Sequence, residues 1–256
     1  MIMIVRRKAK FAVWCVMGIL LWPISGVTAA EINQRSPLTA VEVIQRMLEM
    51  DKWRRSALQQ YISNRRYVAE NKRFNKHAEV AVRERYVYPG KKEFETLSES
   101  GSDYIRRKVI SKLIEAEQDA AQNENRDQTR ITPENYQFEL LGTEDQEGRP
   151  CFLIAVIPNH SKKYLMKGRI WVDQEDFAIV RMEGSPAKNP SFWTRKVEFT
   201  RRYRKHGPFW LAASIESESE VLIAGKSSLR IDYLDYVITR AERDQKIASL
   251  VKGVFQ

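Results

Sequence analysis

The chain is poor in the residues that build disulfide frameworks, metal sites and phosphate-binding loops. Its 256 residues include two cysteines, three histidines and 11 glycines. The histidines, His77, His160 and His206, lie in unrelated segments, and no HExxH, CxxC, GxSxG or glycine-rich phosphate motif occurs. Carboxylates are plentiful, but none has a spacing more suggestive than that of a charged strand face. We therefore expect a protein that is not an enzyme, with no metal site and no cofactor.

Residues 1–30 have the three-part layout of a secretory signal peptide. Basic residues at positions 6, 7, 8 and 10 precede the uncharged apolar stretch Phe11–Trp22, and small residues follow. The apolar stretch is too short for an ordinary membrane-spanning helix, although an uncleaved anchor stays open as the alternative. We predict cleavage near Ala29 or Ala30, a periplasmic location, and one mature domain over residues 31–256.

Cleavage would leave Cys151 without a cysteine partner in the mature chain, so we expect no intrachain disulfide. Cys151 begins a run to Ile157 in which both alternating sets of side chains are apolar. This pattern is typical of a strand covered on both faces, with Cys151 as a small core residue. Part of the net charge of +10 belongs to the signal segment. The remainder favours an anionic membrane surface, and export argues against nucleic acid as a partner.

Two helices are predicted. Thr39 and Glu42 have capping-box spacing at the start of the first, which has apolar residues on one face. The second has Asp103 as its candidate N-cap and an apolar face of residues spaced by three and four. Its basic residues lie in the first turns, opposite to the preference of the helix dipole, so packing must hold it. A movable cover over a cavity and an ordinary amphipathic surface helix both fit this pattern.

Alternating patterns separated by turn residues predict many antiparallel strands. Strands this numerous favour a curled or barrel-like sheet. The predicted strands span residues 57–69, 78–84, 93–98, 136–143, 151–158, 167–172, 178–183, 194–203, 209–223 and 227–239. Turns are predicted at 88–91, 144–148 and 173–176, and a polar loop at 123–130.

The segment Gly168–Gly184, GRIWVDQEDFAIVRMEG, carries a family resemblance. An apolar-Val-Asp step precedes its acidic turn and an Arg-x-Glu step follows the turn. This segment and the order of helices and strands resemble the LolA/LolB-like superfamily of periplasmic lipoprotein carriers, which includes the stress regulator RseB. The order of elements covers nearly the whole mature chain, and the local match covers this one hairpin.

The resemblance implies a mainly β (α+β) fold. A strongly curved antiparallel sheet would form a half-open β-barrel, and an N-terminal and an inserted helix would cover its concave side. It also implies a cavity for acyl chains of lipoproteins or phospholipid-like amphiphiles, used in transport toward the outer membrane. An RseB-like sensor that binds a membrane partner and a ligand-free envelope scaffold are the alternatives. The family's early-strand arginine has four competing counterparts, Arg65, Arg66, Arg83 and Arg85.

We select candidate ligand-contacting residues from the apolar strands and the second helix. The partners expected are acyl chains or amphiphiles, with inner- or outer-membrane proteins left open, and we expect a monomer. Aromatic residues that merely fill a β core, and a solvated hairpin end for the basic 200s segment, are the competing interpretations. The cavity and lid candidates are Ile105, Val109, Leu113, Phe152, Ile154, Val156, Trp171, Phe199 and Trp210. The headgroup or partner candidates are Arg106, Arg107, Arg201, Arg202 and Arg204.

Overall fold

The computed structural model describes residues 38–121, 130–162, 165–189, 194–222 and 225–240. Two helical segments and eleven strands lie in these ranges. The first helix, α1, spans Ala40–Ala57. The second, α2, is continuous over Asp103–Ile105, Arg106–Ile110 and Ser111–Ala121. The strands are β1 Leu58–Asn71, β2 Lys76–Val87, β3 Lys91–Gly101, β4 Tyr136–Gln146, β5 Arg149–Pro158, β6 Met166–Asp173, β7 Ile179–Pro186, β8 Thr194–His206, β9 Phe209–Val221, β10 Gly225–Tyr233 and β11 Val237–Arg240.

The strands of the described residues form one antiparallel sheet in the order β3-β2-β1-β10-β9-β8-β7-β6-β5-β4, with β11 also paired to β1. The sheet is curved and open, with β3 at one edge and β4 at the other. The predicted fold class is therefore confirmed: a mainly antiparallel sheet, not closed into a barrel, accompanied by an N-terminal and an inserted helix.

The two faces of the sheet differ because side chains alternate along each strand. One face, which we call the covered face, carries both helices over two apolar clusters. The cluster under α1 includes Ile154, Val156 and Ile170, and the cluster near α2 includes Tyr67 and Val82. The opposite face, the open face, carries mostly charged and polar side chains and a small cluster around Trp171.

The capping box at the start of α1 is confirmed. The Glu42 amide donates to the Thr39 hydroxyl at 3.3 Å, and the Thr39 amide donates to the Glu42 carboxylate at 2.8 Å. Val43, Ile44 and Met47 are buried on one side of α1 against the sheet. The capping box thus fixes where α1 begins, and the apolar stripe fixes which side of α1 packs on the sheet.

Arg54 fixes the end of α1 to two turns of the sheet. Its guanidinium donates to the carbonyl oxygens of Pro208 at 3.1 Å and Phe177 at 3.4 Å, and also to that of Asp176. These acceptors lie at the β6–β7 and β8–β9 turns. Backbone oxygens therefore accept the hydrogen bonds of this buried guanidinium, and they hold the C-terminal end of α1 on the sheet.

The Gly168–Gly184 segment is a hairpin of β6 and β7. The Asp173 carboxylate accepts hydrogen bonds from the backbone amides of Glu175 and Asp176 and from Arg149, which fixes the acidic turn. Gly168 and Gly184 lie opposite each other in the ladder. A Cβ at Gly184 would overlap the Lys167 carbonyl oxygen and lie 3.0 Å from Gly168 Cα. The two glycines therefore allow a close approach of the strands that side chains would prevent.

Two local predictions are wrong. Ser102, not Asp103, is the N-cap of α2, with its side chain accepting from the Ile105 amide. The predicted strand 227–239 is divided into β10 and β11, because the Asp235 carboxylate accepts the Asn64 amide hydrogen at 2.9 Å and so takes the place of a ladder partner. The signal segment and the loop at 123–130, apart from Arg130, lie outside the described residues.

Replacing Gly184 by Ala tests the close approach of β6 and β7. We expect a loss of about 2 kcal/mol in the free energy of unfolding, since the added methyl group must push apart two backbones. Urea unfolding followed by circular dichroism measures the change. Ser185→Ala, at the next position of the same strand, is the control and should cost less than about 0.5 kcal/mol. Equal stability of the two variants would contradict the close approach.

Candidate functional site

The inserted helix α2 contains a π-helical turn that shifts its contact face. The Ser111 amide donates to the Arg106 carbonyl, five residues back, over the segment Arg106–Ile110. This extra residue puts Ile105, Ile110 and Ile114 against the sheet. Val109 and Leu113 are turned outward and are 38% and 36% exposed. The helix is where the sequence predicts it, but the predicted face is wrong by about one residue.

Beneath α2 lies a group of four charged side chains, which we call the ionic cluster: Arg65, Glu84, Lys92 and Glu117. Arg65 donates to both carboxylates, at 2.8 Å to Glu117, and Lys92 lies 2.5 Å from Glu117 and 3.1 Å from Glu84. Arg65 is 1% exposed and Glu84 is fully buried. The cluster joins β1, β2 and β3 to the helix that crosses them, and its two positive and two negative charges balance.

Aromatic side chains surround the ionic cluster. Tyr61 donates to Glu84 at 3.1 Å, and the Arg65 guanidinium lies 4.4 Å from the centre of the Tyr233 ring and 5.3 Å from that of Phe94. Low polarity strengthens each ion pair and makes an unpaired charge costly. Burial, reinforced by the negative charge of Glu84, raises the pKa of Tyr61 well above its ordinary value, so the phenol stays protonated.

The ionic cluster sets the protonation of Glu117. Burial alone would raise the pKa of this carboxyl, but the positive charges of Lys92 and Arg65 outweigh burial and lower the pKa from 4.5 to about 2. Glu117 therefore stays negative over the whole physiological range. The helix is anchored by a charge that only acid can remove.

The four early-strand arginines differ in where their side chains lie. Of the four early-strand arginines, Arg65 alone points into the covered face and is buried. Arg66 and Arg83 are about half exposed and pair with Glu79 and Glu95 on neighbouring strands, and Arg85 is exposed. Arg65 is the early-strand arginine that contacts the inserted helix.

A cavity of about 360 Å³ lies between α1 and strands β7–β9 on the covered face; we call it the α1 cavity. Most of its wall is apolar. Apolar and aromatic side chains come from α1, from the residues around β7 and β9, and from the segment before β4: Met47, Leu48, Leu58, Ile131, Phe177, Ala178, Ile179, Met182, Tyr203, Phe209, Trp210 and Leu211. The charged residues of the wall are Asp51, Arg54, Arg55, Arg130 and Arg201.

The predicted cavity residues do not gather in one place. Phe152, Ile154 and Val156 pack under α1, and Phe199 packs at the edge of that cluster. Ile105 packs under α2. Trp171 lies on the open face, because it pairs with Leu153 rather than with Phe152 in the ladder, and its indole donates to Glu144 at 2.8 Å. Of the nine candidates, Trp210 alone lines the α1 cavity, and its indole donates to Asp176 at 2.9 Å.

The predicted basic contacts also separate. Arg106 pairs with Glu99 and Asp103, and Arg107, 74% exposed, pairs with Asp103. Arg201 lines the α1 cavity, whereas Arg202 and Arg204 line a polar recess on the open face. Ligand contacts by any of these candidates stay predictions.

Sequence reasoning missed the methionine and aliphatic wall of the α1 cavity. Met47 and Leu48 belong to the apolar stripe of α1, and Met182 to the segment that carries the family resemblance. Their spacing predicts burial, but burial alone does not distinguish a cavity wall from a filled core. Within the described ranges, no group of three or more His, Cys, Asp or Glu side chains is arranged to hold a metal ion. No described helix is long and apolar enough to cross a membrane.

Burial makes Cys151 an inert thiol. Its side chain is fully buried beside Leu153 and Trp171, and burial raises its pKa to about 12. The prediction of a small core residue is confirmed.

Arg65→Met tests the ionic cluster. We expect a loss of about 3 to 5 kcal/mol in unfolding free energy, because the buried Glu84 and its neighbour Glu117 would then share one lysine. Arg66→Met, at the next position but exposed, is the matched control and should cost less than about 1 kcal/mol. Chemical denaturation of both variants measures the difference. Similar losses for the two would show that the cluster contributes no more than a surface ion pair.

Glu117→Gln tests the pH dependence. The folded-state pKa of about 2 lies below the ordinary 4.5, so the stabilisation by Glu117 is complete above pH 4.5 and is lost as the pH falls toward 2. Wild type should therefore lose about 3 kcal/mol more than the variant across this window. The control is Glu115→Gln, an exposed glutamate of the same helix. Parallel pH profiles for wild type and Glu117→Gln would contradict the assignment.

A family model described as "Uncharacterized protein" matches residues 118–244, and no curated protein sequence matches the chain. Among solved structures, the chain is similar to a DUF1329 family protein from Desulfovibrio piger, with 14% identity, 79% of this chain and 94% of that chain covered, and a TM-score of 0.41.

Two further structures are named for lipoprotein sorting or for the LolA superfamily. A domain named for outer membrane lipoprotein sorting, from Vibrio parahaemolyticus, is 12% identical over 78% of this chain and 93% of its own, with a TM-score of 0.43. A LolA superfamily protein from Nitrosomonas europaea is 13% identical over 79% and 94%, with a TM-score of 0.38.

Proposed function

We propose that this protein is an exported, non-enzymatic binding protein that holds acyl chains of lipoproteins or related lipids on the covered face of its sheet. The observation that carries the proposal is the α1 cavity, a space of about 360 Å³ walled mainly by methionine, aliphatic and aromatic side chains. Ligand sites typically combine such a wall with a few polar groups. Export is inferred from residues 1–30.

Hydrophobic transfer accounts for the affinity. An acyl chain gains about 0.8 kcal/mol for each methylene group that it buries, so a modest length of chain gives useful binding without any catalytic group. Met47 and Met182 suit this role because unbranched thioether side chains adapt to ligands of variable shape. The same cavity would serve several related chains.

In this proposal the inserted helix covers a second apolar area of the covered face, since none of its described residues lines the α1 cavity itself. It packs on the sheet through Ile105 and Ile110 and through the ionic cluster, rather than through a continuous apolar seam. Its outward Val109 and Leu113 give the opposite side a partly apolar surface. A ligand chain that displaces α2 would meet the apolar side chains beneath it, so α2 is the part of the cover that we expect to move.

Transport toward the outer membrane is the role that we propose for the bound ligand. The name of the Vibrio parahaemolyticus domain refers to lipoprotein sorting, and this chain's signal-like start is consistent with an envelope compartment. A regulatory output through a membrane partner would use the same cavity and is distinguished by the partner. A ligand-free scaffold would not bind acyl chains.

The experiment is native mass spectrometry with lipid extraction on mature protein purified from the periplasm of a Gram-negative host. We expect co-purified acyl lipid at close to one per chain. Leu48→Gln should weaken binding of a fluorescent long-chain fatty acid about tenfold or more, because it puts an amide in the apolar wall. Val41→Gln, on the same helix and exposed, is the matched control and should leave binding unchanged.

Two results would overturn the proposal. One is a ligand-free mass that persists after addition of phospholipid, lipoprotein and fatty acid. The other is binding that survives unchanged in Leu48→Gln while circular dichroism shows a folded protein. The first result would favour the scaffold, and the second would move the binding site away from the α1 cavity.

A further inference from the structure

Arg201 differs from the other basic residues of its segment in the direction of its side chain. In the ladder it lies opposite Met182 on β7 and Ile215 on β9, which both face the covered side. Its neighbour Arg202 lies opposite Arg181 and Ser214, which face the open side. The alternation of β8 thus places one guanidinium of this segment in the wall of the α1 cavity.

The surroundings of Arg201 leave its charge incompletely matched. Its Nε is buried and has no hydrogen-bond partner among the described residues, and its guanidinium carbon lies 5.0 Å from the centre of the Tyr203 ring. A ring face attracts a cation but does not replace a hydrogen-bond acceptor. A buried donor without an acceptor costs about 1 to 3 kcal/mol, so such a group is normally paired with protein, water or ligand.

Other charged groups of the cavity wall already have partners. Arg54 donates to three carbonyl oxygens, and Arg55 lies 3.0 Å from Asp51. Arg130, at the start of the segment that leads to β4, also has an interaction of its own. Arg201 is therefore the basic group of this wall that is most in need of an acceptor.

The nearby carboxylates do not supply that acceptor. Glu117 is the carboxylate whose charge acts on Arg201, and it is already in ion pairs with Arg65 and Lys92. Adding Arg201 to the balanced ionic cluster gives three cations against two anions in this group of five side chains. This group lacks one negative charge, and a ligand can provide it.

We propose that Arg201 binds the anionic end of an amphiphile whose apolar chain occupies the α1 cavity. The inference rests on the proposed function and specifies its ligand as a chain that ends in a carboxylate or a phosphate. A guanidinium offers two parallel donors to either group, and the charge-assisted bonds are the stronger kind. An uncharged chain of equal length would fill the cavity but leave Arg201 unmatched.

Binding of palmitate, hexadecyl phosphate and hexadecanol to delipidated mature protein tests this inference by competition with a fluorescent fatty acid. We expect wild type to bind at least one of the two anions about tenfold or more tightly than the alcohol. Arg201→Met should remove that preference and leave the affinity for hexadecanol nearly unchanged. Arg202→Met, whose side chain faces the other way, should keep the preference.

The outcomes separate this inference from the proposed function. If none of the three probes binds to wild type, the proposed function fails. If wild type binds the alcohol as tightly as both anions, or if Arg201→Met keeps the preference for an anion, the role of Arg201 is overturned while the apolar cavity stands. If Arg201→Met does not fold, the wild-type comparison and Arg201→Lys, which should keep a weakened anion preference, decide the question. The better-bound anion identifies the headgroup chemistry.

Discussion

The docking of the inserted helix depends on the ionic cluster, in which Arg65 and Glu84 are buried. Arg65, Glu84, Lys92 and Glu117 come from three strands and one helix, and removing any one of them leaves an unmatched charge. Bringing charges out of water is costly, and mutual attraction offsets the cost only in good geometry. A shift of α2 along the sheet would separate Glu117 from both cations. The apolar contacts keep α2 packed on the sheet, while the ion pairs determine its position along the sheet.

Much of the fold was predictable because local chemistry and global structure agree. The capping box of Thr39, the alternation in β1 and β2, and the acidic turn after Asp173 each specify their own segment. The π turn in α2 was not predictable, because nothing in the spacing of Ile105, Val109 and Leu113 distinguishes a regular helix from one with an extra residue. The division of β10 from β11 was missed for a related reason: it depends on a contact between Asp235 and the distant Asn64.

The candidate site was less predictable than the fold, since a site on a sheet depends on which face each residue shares. Trp171 comes directly after Ile170 and two positions after Arg169. These neighbours alone do not show which face its side chain occupies, and only the pairing with Leu153 assigns it to the open face. Arg65 shares its parity with Tyr61 and Tyr67, which are buried, whereas Arg66 does not. Parity within each strand was visible in the sequence. Which of the two sets of alternating residues faces the helices can be determined only from the register between strands.

An open sheet has two edges that could pair with other chains, and this protein protects both with charge and irregularity. Edge strand β3 carries exposed Lys91, Glu93 and Glu95, and its pairing with β2 shifts register near Ala81. The pairing of β4 with β5 shifts near Gly142, at the other edge. Charges and bulges discourage the addition of a further strand. The sheet can therefore stay open, with room beside α1, while its edge strands are protected from acting as templates for fibril growth.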